Sequence, residues 1–200
     1  HIEYANVCFM GEMANFSDAQ FQGGMVIFEE VSFNSNDTNL FHSTFYSDLI
    51  FEKCLFRGET SFNFSKFFGP VSIHNSKFIN HCVDFYAIKS QSGFDMTGTF
   101  FRGVPSLIEA SFEVAPRFDN VKIKTAFADT LSQFLKDYLQ ESCKRTWDSL
   151  NFWKKKKEAK DEIAQWRTLK RLAESGHDHI NAQTIFANEI RARRGIQDMP

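Results

Sequence analysis

From Tyr4 to Ile123 the chain returns to a particular kind of residue after five positions, then after six or seven, without a break. The stops are Tyr4, Phe9, Phe16, Phe21, Phe28, Phe33, Leu40, Phe45, Phe51, Phe56, Phe62, Phe67, Ile73, Phe78, Phe85, Ser90, Met96, Phe101, Leu107, Phe112, Phe118 and Ile123. All are large and apolar except Ser90, and fifteen of the twenty-two are Phe, in a protein with 24 Phe but only 4 Tyr. A helix repeats near 3.6 residues and a strand every 2, so neither regular element explains these intervals. The chain must turn a corner between stops. The residue two before a stop is small or β-branched in most cases, for example Ala14, Val31, Ser43, Cys54, Thr60, Ser76 and Thr99. One side of a square coil has room inside for one large side chain at its centre and a smaller one near the corner. Four sides make a coil of 22 to 24 residues, and five and a half coils use up the twenty-two stops. Successive coils then pair as strands roughly 4.8 Å apart.

These residues resemble the pentapeptide-repeat proteins, whose unit has a central Leu or Phe with Ala, Val, Ser, Cys or Thr two places earlier. Ala14-Asn15-Phe16-Ser17-Asp18-Ala19-Gln20-Phe21 and Val71-Ser72-Ile73-His74-Asn75-Ser76-Lys77-Phe78 match that unit well. The resemblance implies a mainly β solenoid, a right-handed quadrilateral β-helix, over residues 1–124, followed by an α-helical region over 125–200. Every second step is six or seven residues rather than the family's five, which predicts one widened corner or bulge per two sides.

Such a solenoid buries its ring ladder, each ring contributing about 1.5–3 kcal/mol, and presents the remaining residues as a rigid surface. That points to a scaffold before an enzyme. The net charge of −2 is split, with 14 acids against 9 bases in 1–124 and 11 against 14 in 125–200. No whole-protein field strong enough to hold nucleic acid is expected. Cys8, Cys54, Cys82 and Cys143 lack metal-type spacing, which fits a reducing cytoplasmic compartment. There is no run of about 18 apolar residues. The chain opens on His1 and enters the repeat at Tyr4, so the natural protein is expected to extend past both ends.

After Ile123 the spacing becomes helical. Phe127, Leu131, Phe134, Leu135, Tyr138 and Leu139 form one apolar stripe over 125–142, a helix suited to capping the solenoid's open end. A second helix is expected from Asp148 to Ser175, with Ile163, Trp166, Leu169, Leu172 and Ala173 inward and Gly176 as its stop. A third, N-capped by Asp178, is expected to contain Ala182, Ile185, Phe186 and Ile190 and to form a hairpin with the second. The stretches Trp166 to Ala173 and Phe186 to Arg194 resemble the segment that, in some bacterial pentapeptide-repeat membrane proteins, joins the repeat to transmembrane helices. The resemblance implies that Arg191, Arg193 and Arg194 lie on the cytoplasmic side of a membrane. Trp153, Lys154, Lys155, Lys156 and Lys157 form the densest charge run, suited to an anionic membrane surface or to a solvated helix start.

No catalytic, metal or cofactor site is expected. His177 and His179 flank a turn without a third ligand, and His42, His74 and His81 fall at scattered outward positions. The sharper candidate is a set of aromatics immediately after stops, where equivalents are polar: Phe41, Tyr46, Phe68 and Tyr86. They are expected to point outward, Tyr46 and Phe68 on one side and Phe41 and Tyr86 on the next, as a protein interface or as a seat for the chain's own helices. Ser90 leaves one ladder position without a ring, which predicts a cavity or bulge, with Ile88 or Phe94 as candidates to fill it.

The function expected is a non-catalytic interaction scaffold at the cytoplasmic face of a bacterial inner membrane, binding a protein partner or further copies of itself. One alternative is the DNA-mimic role that the resemblance implies, binding a DNA topoisomerase. Residues after the first-column stops read Ala5, Glu29, Glu52, His74, Thr97 and Asp119, too mixed for a row of carboxylates. Another is a ligand-sensing or regulatory domain of a channel-like protein.

Overall fold

A computed structural model describes residues 2–124, 148–176 and 179–197, with the side chains of 148–160, 179–180 and 194–197 excepted. Twenty short strands of two to four residues build four parallel sheets, one per side of a coil. The first sheet stacks β1 (Ile2–Ala5), β5 (Val26–Glu29), β9 (Leu49–Glu52), β13 (Val71–His74) and β17 (Phe94–Asp95). Ile2 pairs with Val26, Val26 with Leu49, Leu49 with Val71 and Val71 with Phe94, which are steps of 24, 23, 22 and 23 residues. The third side holds β3 (Met13–Asn15), β7 (Asp37–Asn39), β11 (Glu59–Ser61) and β15 (Val83–Asp84). The fourth holds β4 (Gln20–Phe21), β8 (Thr44–Phe45), β12 (Lys66–Phe67), β16 (Lys89–Ser90) and β19 (Ser111–Phe112). The solenoid and its quadrilateral register are those the spacing predicts.

In-register pairing puts each stop directly over its counterpart one coil below. On the second side Phe9, Phe33, Phe56, Phe78 and Phe101 form an unbroken stack with centroid separations of 5.1, 4.6, 4.4 and 4.9 Å. Strand spacing and offset ring stacking prefer nearly the same distance, so the ladder strains neither. Phe33, Phe56, Phe78 and Phe101 are all but inaccessible to solvent, whereas Phe9 in the first coil is partly exposed.

The corners alternate, and the tight ones carry the strain. In all eleven five-residue steps the residue two after the stop has positive φ: Asn6, Asp18, Glu30, His42, Lys53, Phe64, Asn75, Ala87, Glu109, Asn120 and Gly98. On the third side the stop carbonyl accepts the N–H three residues on, as in Ser65 to Phe62 at 3.1 Å, closing a β-turn whose third residue must be left-handed. Ten of the eleven are not Gly, each at a cost of about 1–2 kcal/mol. Inward polar side chains from the next coil bond the same carbonyls. Ser43 Oγ donates to Phe16 at 2.7 Å, Ser65 Oγ to Leu40 at 2.6 Å, Ser76 Oγ to Phe51 at 3.3 Å, and Cys54 Sγ to Phe28 at 3.1 Å. Thr99 does the same to Ile73. The small position is therefore Ser, Thr or Cys at these corners for hydrogen bonding as well as for size.

Several wide corners instead rest on the backbone of the coil below. A Cβ at Gly58 would lie 2.2 Å from the Asn36 carbonyl oxygen, and one at Gly69 would lie 2.4 Å from Ser47 C.

At Ser90 the strand does not bulge, and of the two candidate fillers it is Phe94 that takes the space. β16 keeps its register with Phe67 and Phe112, and Ser90 Oγ donates to Ser92 O at 3.0 Å. The missing ring comes from Phe94, at a position where the coil below has Val71. Its centroid lies 5.9 Å from Phe67, 5.3 Å from Phe112 and 6.0 Å from Phe85. Large and small have exchanged places between the two columns.

Helices α1 (Asp148–Ser175) and α2 (His179–Gln197) form the expected hairpin. Ile163, Trp166, Leu169, Leu172, Ala173, Ala182 and Ile185 are buried, all but Ile163 in one core cluster with the solenoid. Asn181 Nδ2 donates to Phe118 O at 3.2 Å, and a cavity of about 270 Å³ remains between Phe101, Phe118, Ile123, Trp166 and Ile185. Phe186 is 43% exposed and receives Lys170 Nζ 4.3 Å above its ring, and Ile190 is only half-buried. The buried place between them belongs to Glu189, held by Arg167 at 3.1 Å and by Arg193. Gly176 ends α1 without a positive φ, its N–H donating to Leu172 O at 3.1 Å. The 125–142 helix and the Asp178 cap lie outside the described residues.

Two stability tests follow from this packing. Phe94→Val should cost about 2–4 kcal/mol in urea unfolding and Ser90→Phe about 1–3 kcal/mol, while the double variant recovers most of the loss. Additive losses would show that the two sites do not share one space. Gly58→Ala should cost at least about 1–3 kcal/mol because backbone blocks the methyl, whereas Gly93→Ala, with nothing within 4 Å, should stay within about 0.5 kcal/mol.

Candidate functional site

Two rows of aromatics stand on the outer surface where the solenoid's regularity places them. Tyr46 follows β8 and Phe68 follows β12, so both leave the fourth side at the same corner one coil apart. Their rings stack at 5.2 Å with planes 2° apart, yet they are 47% and 40% exposed. Phe41 follows the third-side stop Leu40, and Tyr86 follows Phe85 two coils on. Phe64 stands between them, 5.6 Å from Phe41 and 5.4 Å from Tyr86, edge-on to both. Phe41 and Phe64 are 41% and 44% exposed, and Tyr86 is half-buried.

Phe64 is the member that sequence reasoning passed over. It occupies a left-handed corner position, φ 60°, two residues after a stop rather than one. The signal was available: the other ten tight corners carry Asn, Asp, Glu, His, Lys, Ala or Gly there, and only this one carries a large apolar residue. The hydrogen bond that the Tyr86 hydroxyl donates to the Glu109 carboxylate, with some desolvation and the charges of Glu109 and Asp84, holds the phenol above its ordinary pKa. The described residues of α1 and α2 pack on the last coil at Phe118, while Phe41, Tyr46, Phe64 and Phe68 stay exposed.

The first side carries a charged ladder instead. His74 lies 3.8 Å from Glu52 and 3.3 Å from Asp95, the latter without hydrogen-bond alignment. Arg117 reaches Asp95 at 3.5 Å and Asp119 at 2.8 Å. Burial pushes the Asp95 carboxyl up, but hydrogen bonds from the Thr97 hydroxyl and N–H, together with His74, outweigh it and hold the group below the ordinary carboxylate range. The ladder ties four coils together on their outer surface.

The remaining reactive groups are either locked away or scattered. Burial, its largest influence, pushes the Cys54 thiol up to about 12, and Sγ points into the coil at Phe28 O. Cys8 is exposed and accepts from Asn34 Nδ2 at 3.1 Å. Among the described residues no three His, Cys, Asp or Glu are grouped to hold a metal.

Of the expected membrane-proximal residues, Trp153, Lys154, Lys155, Lys156 and Lys157 fall in the first half of α1, and their side chains lie outside the described ones. Arg191 is exposed, donating to Asn188 Oδ1 at 3.1 Å. Arg193 turns back to Glu189. The side chain of Arg194 lies outside the described residues, and among those described no helix is long and apolar enough to cross a membrane.

Asp95 gives a pH test with a defined sign. Because its folded value is depressed, its contribution is fully present above the ordinary carboxylate pKa and is lost as pH falls through the folded value. Asp95→Asn should therefore lower Tm at neutral pH and flatten the acid side of the Tm profile; an unchanged profile would remove Asp95 from the ladder. Cys54 should resist iodoacetamide at pH 8 in the native protein while Cys8 is alkylated, as read by peptide mass spectrometry. Equal labelling would mean that the coil interior opens readily.

A scan against protein-family models gives no match, and neither does a search of curated proteins or of solved structures.

Proposed function

We propose that this protein is a non-catalytic interaction scaffold of the pentapeptide-repeat type, docking a protein partner on the edge formed by Phe41, Tyr46, Phe64, Phe68 and Tyr86. The observation that carries this reading is the contact between outward aromatics of successive coils, Tyr46 with Phe68 in register and Phe64 between Phe41 and Tyr86. Aromatic surface of this kind costs solubility and adds little to a fold whose core is already complete, so its use lies in association. Adjacent coils hold the rings in fixed rotational settings, which lowers the entropy a partner must offset on binding.

The attachment of this scaffold to the cytoplasmic face of a membrane rests on the sequence of the helical arm. Trp153 with Lys154 to Lys157, and Arg191 with Arg194, supply the aromatic and basic groups that anionic lipid attracts.

Tyr46→Ser/Phe68→Ser tests the scaffold reading. The pair should change stability by only about 1 kcal/mol while abolishing retention of a protein that the parent captures from its source lysate. Equal retention by parent and variant contradicts the proposed edge. For the arm, cosedimentation with phosphatidylserine vesicles should fall when Lys154 to Lys157 are changed to Gln, and unchanged sedimentation contradicts membrane attachment.

A further inference from the structure

The third side, beside the aromatic edge, bears a shallow groove of about 350 Å³ lined by Asp37, Asn39, Phe41, Glu59, Asn63 and Asp84 among others. Its three carboxylates belong to successive coils. Asp37 and Glu59 are register partners on adjacent parallel strands, an arrangement that places like charges opposite each other and costs stability. Neither has an ion pair or side-chain hydrogen bond among the described residues. Asp84 is held in place, accepting Asn63 Nδ2 on Oδ2 at 3.0 Å and the Tyr86 N–H on Oδ1 at 2.9 Å. The segments 35–42, 58–64 and 80–87 that build this side contain no Lys or Arg; Arg57, one residue earlier, follows a second-side stop. Phe41 lines the groove, and Phe64 and Tyr86 continue the aromatic row from it.

Resting on the proposed edge as a docking surface, we propose that this groove holds an extended, arginine-bearing peptide segment of the partner. A guanidinium is the side chain that uses both features at once, lying flat on an aromatic ring while its fork donates to a carboxylate. Lysine offers a point charge without the planar face. Successive coils are about 4.8 Å apart, so the three carboxylates span roughly 10 Å along the solenoid. An extended peptide sets alternate side chains about 6.6–7 Å apart, which lets two arginines at i and i+2 reach that span. The uncompensated Asp37 and Glu59 pair is thus neutralised by the occupant rather than by the fold.

The test is calorimetric titration of the full chain with a synthetic acetyl-Gly-Arg-Gly-Arg-Gly amide, alongside its Lys and Glu counterparts. The Arg peptide should bind most tightly and weaken with added salt, the Lys peptide should bind less well, and the Glu peptide should not bind. Asp37→Asn/Glu59→Gln should lose about tenfold in affinity while Tm holds or rises, because the like-charge pair is gone. Glu29→Gln/Glu30→Gln, which removes two charges elsewhere, should leave binding unchanged. Equal loss in both double variants, or equal binding of the Glu peptide, overturns the groove. If Asp37→Asn/Glu59→Gln binds as the parent does while Phe41→Ser/Phe64→Ser weakens, the aromatic edge stands and the cationic occupant falls. If neither variant changes binding, both fall.

Discussion

Ring-on-ring stacking between successive coils is the interaction on which the rest of this protein depends. Parallel, in-register pairing repeats the same side chain at the same place, and a planar aromatic tolerates that repetition because strand spacing matches its preferred offset. The stack fixes which residues face inward, and therefore which ones must stand outside. Phe41, Tyr46, Phe64, Phe68 and Tyr86 are exposed because the inner places beside them are already taken by Leu40, Phe45, Phe62, Phe67 and Phe85. The outer edge is a consequence of the inner ladder.

Turning the chain within five residues has a conformational cost, and the inward hydroxyls and the Cys54 thiol offset part of it. A left-handed residue stands at each tight corner, and Ser43, Ser65 and Ser76 from the next coil donate to the stop carbonyls there. Each coil is thus completed by the one after it. The helical hairpin at the C-terminal end buries Trp166 and Leu169 against the last turn, closing an end whose apolar interior would otherwise face water.

Much of this was legible in the spacing of apolar residues, because a solenoid repeats its geometry at fixed intervals. Columns, coil length and the bounds of α1 follow from it. The left-handed corners were not, since Lys53 and Phe64 have no composition that announces positive φ; backbone pairing above and below imposes it on them. The repair at Ser90 was half legible: the gap shows in one column, but the ring that fills it sits in another and reaches across. The burial of Glu189 in α2 was not legible for a different reason: a polar residue takes that position because Arg167 and Arg193 neutralise it there. At the candidate site, four of the five edge aromatics follow directly from register. The acidic groove beside them emerges only when three coils are stacked.

Corners and strands hydrogen-bonded coil to coil form one rigid body, which makes the proposed docking edge a preformed one. Native-state hydrogen exchange tests it most directly, comparing tight-corner amides such as His42, Phe64 and Ala87 with strand amides such as Leu55 and Lys77. Corner amides bonded to the coil above, His42 to Asn63 O at 2.8 Å and Phe64 to Tyr86 O at 2.9 Å, should exchange as slowly as the strands and only through global unfolding. Corner exchange faster by orders of magnitude would show that the aromatics ride on loops, and would contradict a preformed edge.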